Sequence, residues 1–478
     1  MLKTYNHKLS IKEKVGYSLG DLAANLVFQT LMMFLLVFYT DVYGISAATA
    51  ATVIFVGGIA GALFNPVMGV IADRTNTKWG KFRPWILWTA IPFGLMAWLT
   101  FRTPDLAGNA KVIYAFVSYI LLVIVYSANN LPYAALSGVM TGDMIERTSL
   151  SSYRFVAVMI AQFISQVLLL PLVLILGAGD ETLGFTKTIG IFSIIAIVCF
   201  LVAFFSTRER IQPSQEQKST LYQDLSDLSR NKPWIVIFIL TTLLFVSLAI
   251  RGGMLVYYFK DFLSDAQLQS FLGTLGLSES KWVEDIPTFA FSLFNGIGII
   301  AMILGITTSK PLAKRFGKRD VFGSGLFLSA LLLIIFIFYP ADAIAMVFVT
   351  QFVFGLAYGI TIPLLWAMIA DVADFSEWKN KRRATGIIFS AMIFGLKVGL
   401  GIGGALGGYI LALYGYDAEL TRQSANAIFG IRMSVSIFPA IAFIIGVSTL
   451  FFYEINKKLE FQIEEELGQR RIKGNLTP

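Results

Sequence analysis

The chain has one histidine, His7, and one cysteine, Cys199, in 478 residues. A single cysteine excludes an intrachain disulfide. So few thiols and imidazoles leave no metal cluster to read, and no nucleophile is paired with a base, so an enzyme is not expected. Charge is scarce too: 14% of residues are Asp, Glu, Lys or Arg, against ~25% in soluble domains. What replaces it is apolar. Hydrophobic residues make up 56% of the chain, and 41 of them are phenylalanine. That excess fits membrane spans. Residues 1–14 are polar and carry Lys3, Lys8, Lys12 and Lys14, and the run that follows is too long for a signal peptide, so none is expected. The net charge of +8 would point to nucleic acid in a soluble protein. Here the basic residues lie between apolar runs, so topology explains them, and no nucleic-acid partner is expected.

The apolar runs predict twelve spans, at roughly 14–42, 47–72, 84–102, 111–138, 152–177, 187–206, 234–262, 286–309, 320–338, 343–372, 385–415 and 429–453. Of the 38 Lys and Arg residues, 29 fall in the two tails and the alternate loops on their side, and 6 on the other side. The positive-inside rule then puts both termini in the cytoplasm. The expected fold is an all-α membrane protein of twelve transmembrane helices in two six-helix bundles. The bundles would cover 1–206 and 234–453, with a cytoplasmic linker at 207–233, itself able to form a short surface helix, and a tail at 454–478. The loops at 73–84 and 310–319, and those after spans four and ten, are weak repeats of one another. Parallel six-helix repeats with a midplane site are a transporter architecture. The polar stretch 265–285 reads as surface elaboration, a small external helix or cap.

Polar residues inside the spans mark the candidate site. Lys397 lies near the middle of span eleven, where an ammonium costs roughly 2.5–3.5 kcal/mol and needs protein or water around it. In span one, Tyr17, Asp21, Asn25 and Phe28 share a helix face. Asn25 is ~16 Å from the inner end at 1.5 Å per residue. Tyr126, Asn130 and Tyr133 share a face of span four, and Gly61 and Asn65 of span two lie at comparable depth. Arg251 is a second intramembrane cation, suited to an anionic or hydroxyl-rich ligand or to an ion pair with Asp21. Trp366, Tyr126 and Tyr258 are candidate stacking rings for a sugar. Arg154, Asp143 and Arg147 after span four, and Asp371 and Asp374 after span ten, are candidate gating charges. Arg432 reads as a snorkelling side chain.

Six stretches carry a resemblance: YSLGDLAANL (17–26), FYTDVYG (38–44), NPVMGVIADRTNTKWGKFRPW (65–85), NNLPY (129–133), YYFKDF (257–262) and ADVADFSEW (370–378). Together they resemble the glycoside–pentoside–hexuronide:cation symporter family, the melibiose-permease-like branch of the major facilitator superfamily. The resemblance covers nearly the whole chain. It implies alternating access and sugar uptake coupled to Na⁺, H⁺ or Li⁺ across a bacterial plasma membrane, by a protein that works as a monomer without a cofactor. It places Lys397 by the cation site, Arg154 at the opening of span five, and Tyr126 in the sugar site.

The chain departs from that pattern where carboxylates are expected. The two span-two aspartates read Gly61 and Asn65, the sugar-site aspartates of spans one and four read Asn25 and Asn130, and a tryptophan beyond the latter reads Ala134. Neutral amides weaken a Na⁺ site built on hard oxygens. With Arg251 and Lys397 retained, the cavity reads as electropositive, which favours a uronide. Asp21 and Asn65 join Lys397 as the cation-coupling candidates, and Asp21 is the one acid deep enough to take a proton. The alternatives are an uncoupled facilitator, a transporter of lipid or another solute, and a sensor that binds without translocating.

Overall fold

Ser10 starts the first helix by a capping box. Its hydroxyl accepts the Glu13 N–H at 3.2 Å, and the Glu13 carboxylate accepts the Ser10 N–H at 3.2 Å. A computed structural model describes residues 9–141, 144–210, 228, 230–277, 285–380 and 385–474. It is built of helices: α1 (Ile11–Val37), α2 (Ala47–Arg74), α3 (Arg83–Thr100), α4 (Asn109–Met140), α5 (Met144–Phe163), α6 (Leu169–Gly177) and α7 (Glu181–Ser206). After the linker come α8 (Lys232–Tyr257), α9 (Asp265–Thr274), α10 (Ile286–Phe316), α11 (Lys318–Ile335), α12 (Ile344–Asn380), α13 (Thr385–Leu413), α14 (Ala425–Val435), α15 (Ile437–Thr449) and α16 (Lys457–Gly474). Three π-helical turns continue α1, α5 and α8: Phe38–Val42, Ile164–Leu168 and Tyr258–Phe262.

Among the described residues, 11 helical segments are long and apolar enough to cross a bilayer, where the sequence predicts twelve. The remaining one is α3, a regular helix whose Arg83, Pro84, Pro92 and three tryptophans dilute its apolar content. The small helix expected within 265–285 is α9, and residues 278–284 lie outside the described residues, as do 211–227 of the linker.

The chain divides into two compact units. The first holds residues 1–216, 252–296 and 404–428, and the second holds 217–251, 297–403 and 429–478. In the first unit, Ile86, Ala90, Phe93, Leu122, Leu136 and Phe200 pack with Tyr17 and Tyr133 in one buried cluster. Thr207–Arg210 forms a strap across one end of it. The Glu209 carboxylate accepts the backbone N–H groups of Lys81, Phe82 and Arg83 at 2.8–2.9 Å, an anion at the N-terminus of α3. Arg210 pairs with Glu13, and its own N–H reaches Val139 O at 2.9 Å. In the second unit, Ile237, Leu240, Phe322, Leu326, Met368 and Phe443 form the core. Ile463 and Leu467 of α16 are buried in that same core, so this helix is part of the unit.

Candidate functional site

The first unit brings four residues of α1, α4 and α5 together around one charge pair. Arg154 bonds both oxygens of Asp21: Nε to Oδ2, and Nη2 to Oδ1 at 3.3 Å. The Asp21 side chain is 7% exposed, so this pair is removed from water on the acidic side. Two tyrosines hold the cation in place. Tyr17 and Tyr133 stack at 4.5 Å between centroids, and the guanidinium lies 5.6 Å from each ring. The rings are fixed reciprocally: the Tyr17 hydroxyl donates to Tyr133 O at 2.8 Å, and the Tyr133 hydroxyl donates to Tyr17 O at 2.6 Å. The Asp21 N–H also points at the Tyr133 oxygen, at 3.1 Å. Residue 20 must be small for this to form, because a Cβ on Gly20 would sit 2.3 Å from the Tyr133 ring.

One turn along α1, the Asn25 amide donates to Asp21 O at 2.9 Å. Phe28 meets Tyr126 at 6.2 Å, and Phe93 meets the same tyrosine at 5.8 Å. Asn25, Tyr126 and Asn130 are all half-buried. Asn65 is buried in α2. A Cβ on Gly61 would fall 2.2 Å from Val123 of α4, so the helices meet where the resembling family carries a carboxylate. The glycine thus reflects close α2–α4 packing.

A second cluster lies at the far end of α1, where α1 and α8 both end in π turns. Lys260 pairs with Asp41 at 2.7 Å, and the Tyr416 hydroxyl donates to both Asp41 oxygens at 3.1 and 3.3 Å. Thr40 and Tyr257 share a 2.6 Å hydrogen bond, and Tyr257 meets Tyr416 edge to face at 5.0 Å. Burial, then the Asp41 charge, pushes the Tyr416 phenol far above its ordinary range, so it remains a donor. Each turn opens on two aromatic residues and carries an aspartate at its fourth place, FYTDV and YFKDF, and the sequence expectation did not assemble this cluster.

Most of the remaining candidates belong to the second unit. Arg251 is buried, donates to Gln351 Oε1 at 2.8 Å and lies 4.6 Å from the Phe354 ring and 5.6 Å from Phe336. Asp21 and Arg251 are therefore held by different partners. Tyr258, in the first unit, is fully buried and packs on Phe262 at 5.1 Å. Lys397 and Trp366 are half-buried. On α13, Gly399 and Gly403 lie against the Thr242 and Val246 carbonyls of α8, and Lys397 projects from the opposite face of that helix. Asp371 receives Lys318 at 2.7 and 2.8 Å, and Lys318 also reaches Glu460 of α16 at 2.9 Å. Asp374 is exposed. Arg432 donates to Ile337 O and Tyr339 O. Asp143 and the Arg147 side chain lie outside the described residues.

These apolar helices mark a multi-pass membrane protein, and the fold is shared with a solved structure. The crystal structure of the nucleoside transporter NupG superimposes with a TM-score of 0.58 over 93% of this chain and 99% of that one, at 15% identity, which is a likeness of fold. Residues 16–278 and 283–457 match the family described as MFS/sugar transport protein, and the chain belongs to that family; it is a transporter and not an enzyme. The inner membrane symporter YicJ of Escherichia coli K12 is 35% identical over 98% of both chains. The isoprimeverose transporter of Lactiplantibacillus pentosus is 35% identical over 97% of this chain and 92% of its own.

Proposed function

We propose that the chain imports a glycoside together with H⁺ or Na⁺ across a bacterial inner membrane, and that the Asp21–Arg154 pair is where cation and sugar are coupled. The relatives' names, a symporter and an isoprimeverose transporter, support sugar symport. The observation that carries the reading is one intramembrane ion pair on the helix face that also presents Asn25 and Phe28. An entering cation competes with Arg154 for Asp21. Once Asp21 is neutralised, the partly buried guanidinium has lost its counter-charge, and its donors are left for another acceptor. Sugar hydroxyls supply that acceptor. Each ligand thus favours the other's binding, which is the thermodynamic content of coupling.

In this reading α3 is also a span, giving twelve, with both termini cytoplasmic, and the protein works as a monomer. Asp41, Lys260 and Tyr416 close the periplasmic end. Asp371, with Lys318 and Glu460, and the charges Asp143, Arg147 and Asp374 serve the cytoplasmic end.

The uronide preference drawn from the sequence rested on Arg251 and Lys397. Arg251 is engaged by Gln351 and two phenylalanines. Lys397, on the face of α13 away from α8, is the residue on which an anionic sugar then depends, with Trp366 as a stacking candidate. A neutral glycoside or pentoside fits the first-unit site of Asn25, Tyr126 and Asn130 without it. A thermal-shift and uptake screen over methyl xyloside, glucoside, galactoside and glucuronide, each with and without Na⁺ and at two pH values, tests both levels. No response to any sugar would remove the proposal.

A further inference from the structure

An amide–amide contact in the first unit lies outside both charge clusters. The Gln166 Nε2 of the π turn Ile164–Leu168 donates to Gln29 Oε1 of α1 at 3.0 Å. Gln29 follows Asp21 and Asn25 at i+8 and i+4, so it lies on the helix stripe that carries the charge pair. The π turn explains how Gln166 reaches it. Consecutive residues of an α-helix point about 100° apart, and a turn with i→i+5 bonding widens the helix by a residue, a feature frequent at functional sites. Here Ser165 and Gln166 both meet α1: the Ser165 hydroxyl donates to Leu26 O at 2.9 Å, while Gln166 takes Gln29.

The amide–amide bond uses one N–H and one carbonyl. It leaves both N–H groups of Gln29 and the second N–H and the carbonyl of Gln166 for another partner. Both side chains are half-buried. Half-buried rather than enclosed, these groups remain open to water or to a ligand with donors and acceptors side by side. Vicinal sugar hydroxyls have that pattern.

We infer that Gln29 and Gln166 read the hydroxyl configuration of the transported sugar, with the π turn of α5 positioning the second amide. The inference rests on the sugar-transport reading above and adds to it the residues that set which sugar is taken. Sites built to hydrogen-bond a hydroxyl discriminate far more strongly than apolar pockets do.

The test is binding of methyl β-D-xyloside, methyl β-D-glucoside, methyl β-D-galactoside and methyl β-D-glucuronide to the purified full-length protein and to Gln29→Met and Gln166→Met. Methionine keeps side-chain length and removes the amide. The best-bound glycoside should weaken by about tenfold or more in either variant, and its advantage over the others should shrink by a similar factor. If a methionine variant does not fold, Gln166→Asn, which withdraws the amide from the stripe, should give the same narrowing. Equal losses for all four glycosides, or unchanged affinities, would overturn the inference and leave the transport reading standing. A wild-type protein that binds none of the four overturns both.

Discussion

Arg154 reaches from α5 to grip both carboxylate oxygens of Asp21 on α1, and the stacked rings of Tyr17 and Tyr133 support its guanidinium from the side. The pair is buried on the acidic side and partly exposed on the basic side, so Asp21 depends on its partner more than Arg154 does. Arg154→Gln, which strands the buried Asp21 charge, should therefore lower stability by about 3–5 kcal/mol, and Asp21→Asn, which strands a partly exposed guanidinium, should lower it less. The double variant should recover most of that loss in thermal unfolding and still fail to accumulate sugar. Additive losses of stability would show that the two charges do not depend on each other.

Much of this site was legible in the sequence, and the reason is periodicity. Tyr17, Asp21, Asn25 and Phe28 follow helical spacing, and the motif NNLPY put Asn130 and Tyr133 on one face of α4. What helical spacing cannot give is the partner across a helix interface. For Asp21 the spacing offers Arg251 as a partner, and the structure gives it Arg154, because α5 packs beside α1 and a guanidinium reaches that far. The π turns were not legible either. They depend on tertiary packing, and the three of them place Asp41, Gln166 and Lys260 in turn.

The tyrosine clamp makes Gly20 sensitive. Gly20→Ala puts a methyl 2.3 Å from the Tyr133 ring, and overpacking of this kind costs about 1–3 kcal/mol. Thermal unfolding should fall accordingly, and transport should fall further, since the ring that moves is the one beside Arg154. Restoration of transport by Gly20→Ala combined with Tyr133→Leu would show that the clamp is dispensable.

The Asp41–Lys260 pair predicts a change of accessibility. A cysteine at Asn25, in a Cys199→Ser background, should react faster with a membrane-impermeant maleimide on whole cells when Asp41→Asn is added. The charge swap Asp41→Lys with Lys260→Asp should bring the rate back. Tyr416→Phe removes two hydrogen bonds to Asp41 and should act in the same direction, more weakly. Because the Tyr416 phenol titrates only far above its ordinary range, its bond is complete at low and neutral pH and would be lost only as pH rises through that raised value. Between pH 6 and 8 the labelling rate of the parent cysteine protein should owe no change to this residue. Identical maleimide rates in all variants would disconnect this cluster from closure.

Glu209 gives a purely structural prediction. Its carboxylate accepts three backbone N–H groups at the start of α3, and charge-assisted bonds of this kind contribute ~1.5–3 kcal/mol each at most. Glu209→Ala should lower the unfolding temperature clearly, and Glu209→Gln, which keeps an acceptor, should lower it less. Sugar affinity in the folded fraction should be unchanged.

The central claim is that Asp21 and Arg154 link cation entry to sugar movement. It is tested most directly in proteoliposomes holding wild-type or Asp21→Asn protein, with an imposed inward H⁺ or Na⁺ gradient and the labelled glycoside identified by the screen. The wild type should concentrate the sugar inside, and Asp21→Asn should exchange it across the membrane without concentrating it. Accumulation by Asp21→Asn equal to the wild type, under the same gradient, would contradict the account.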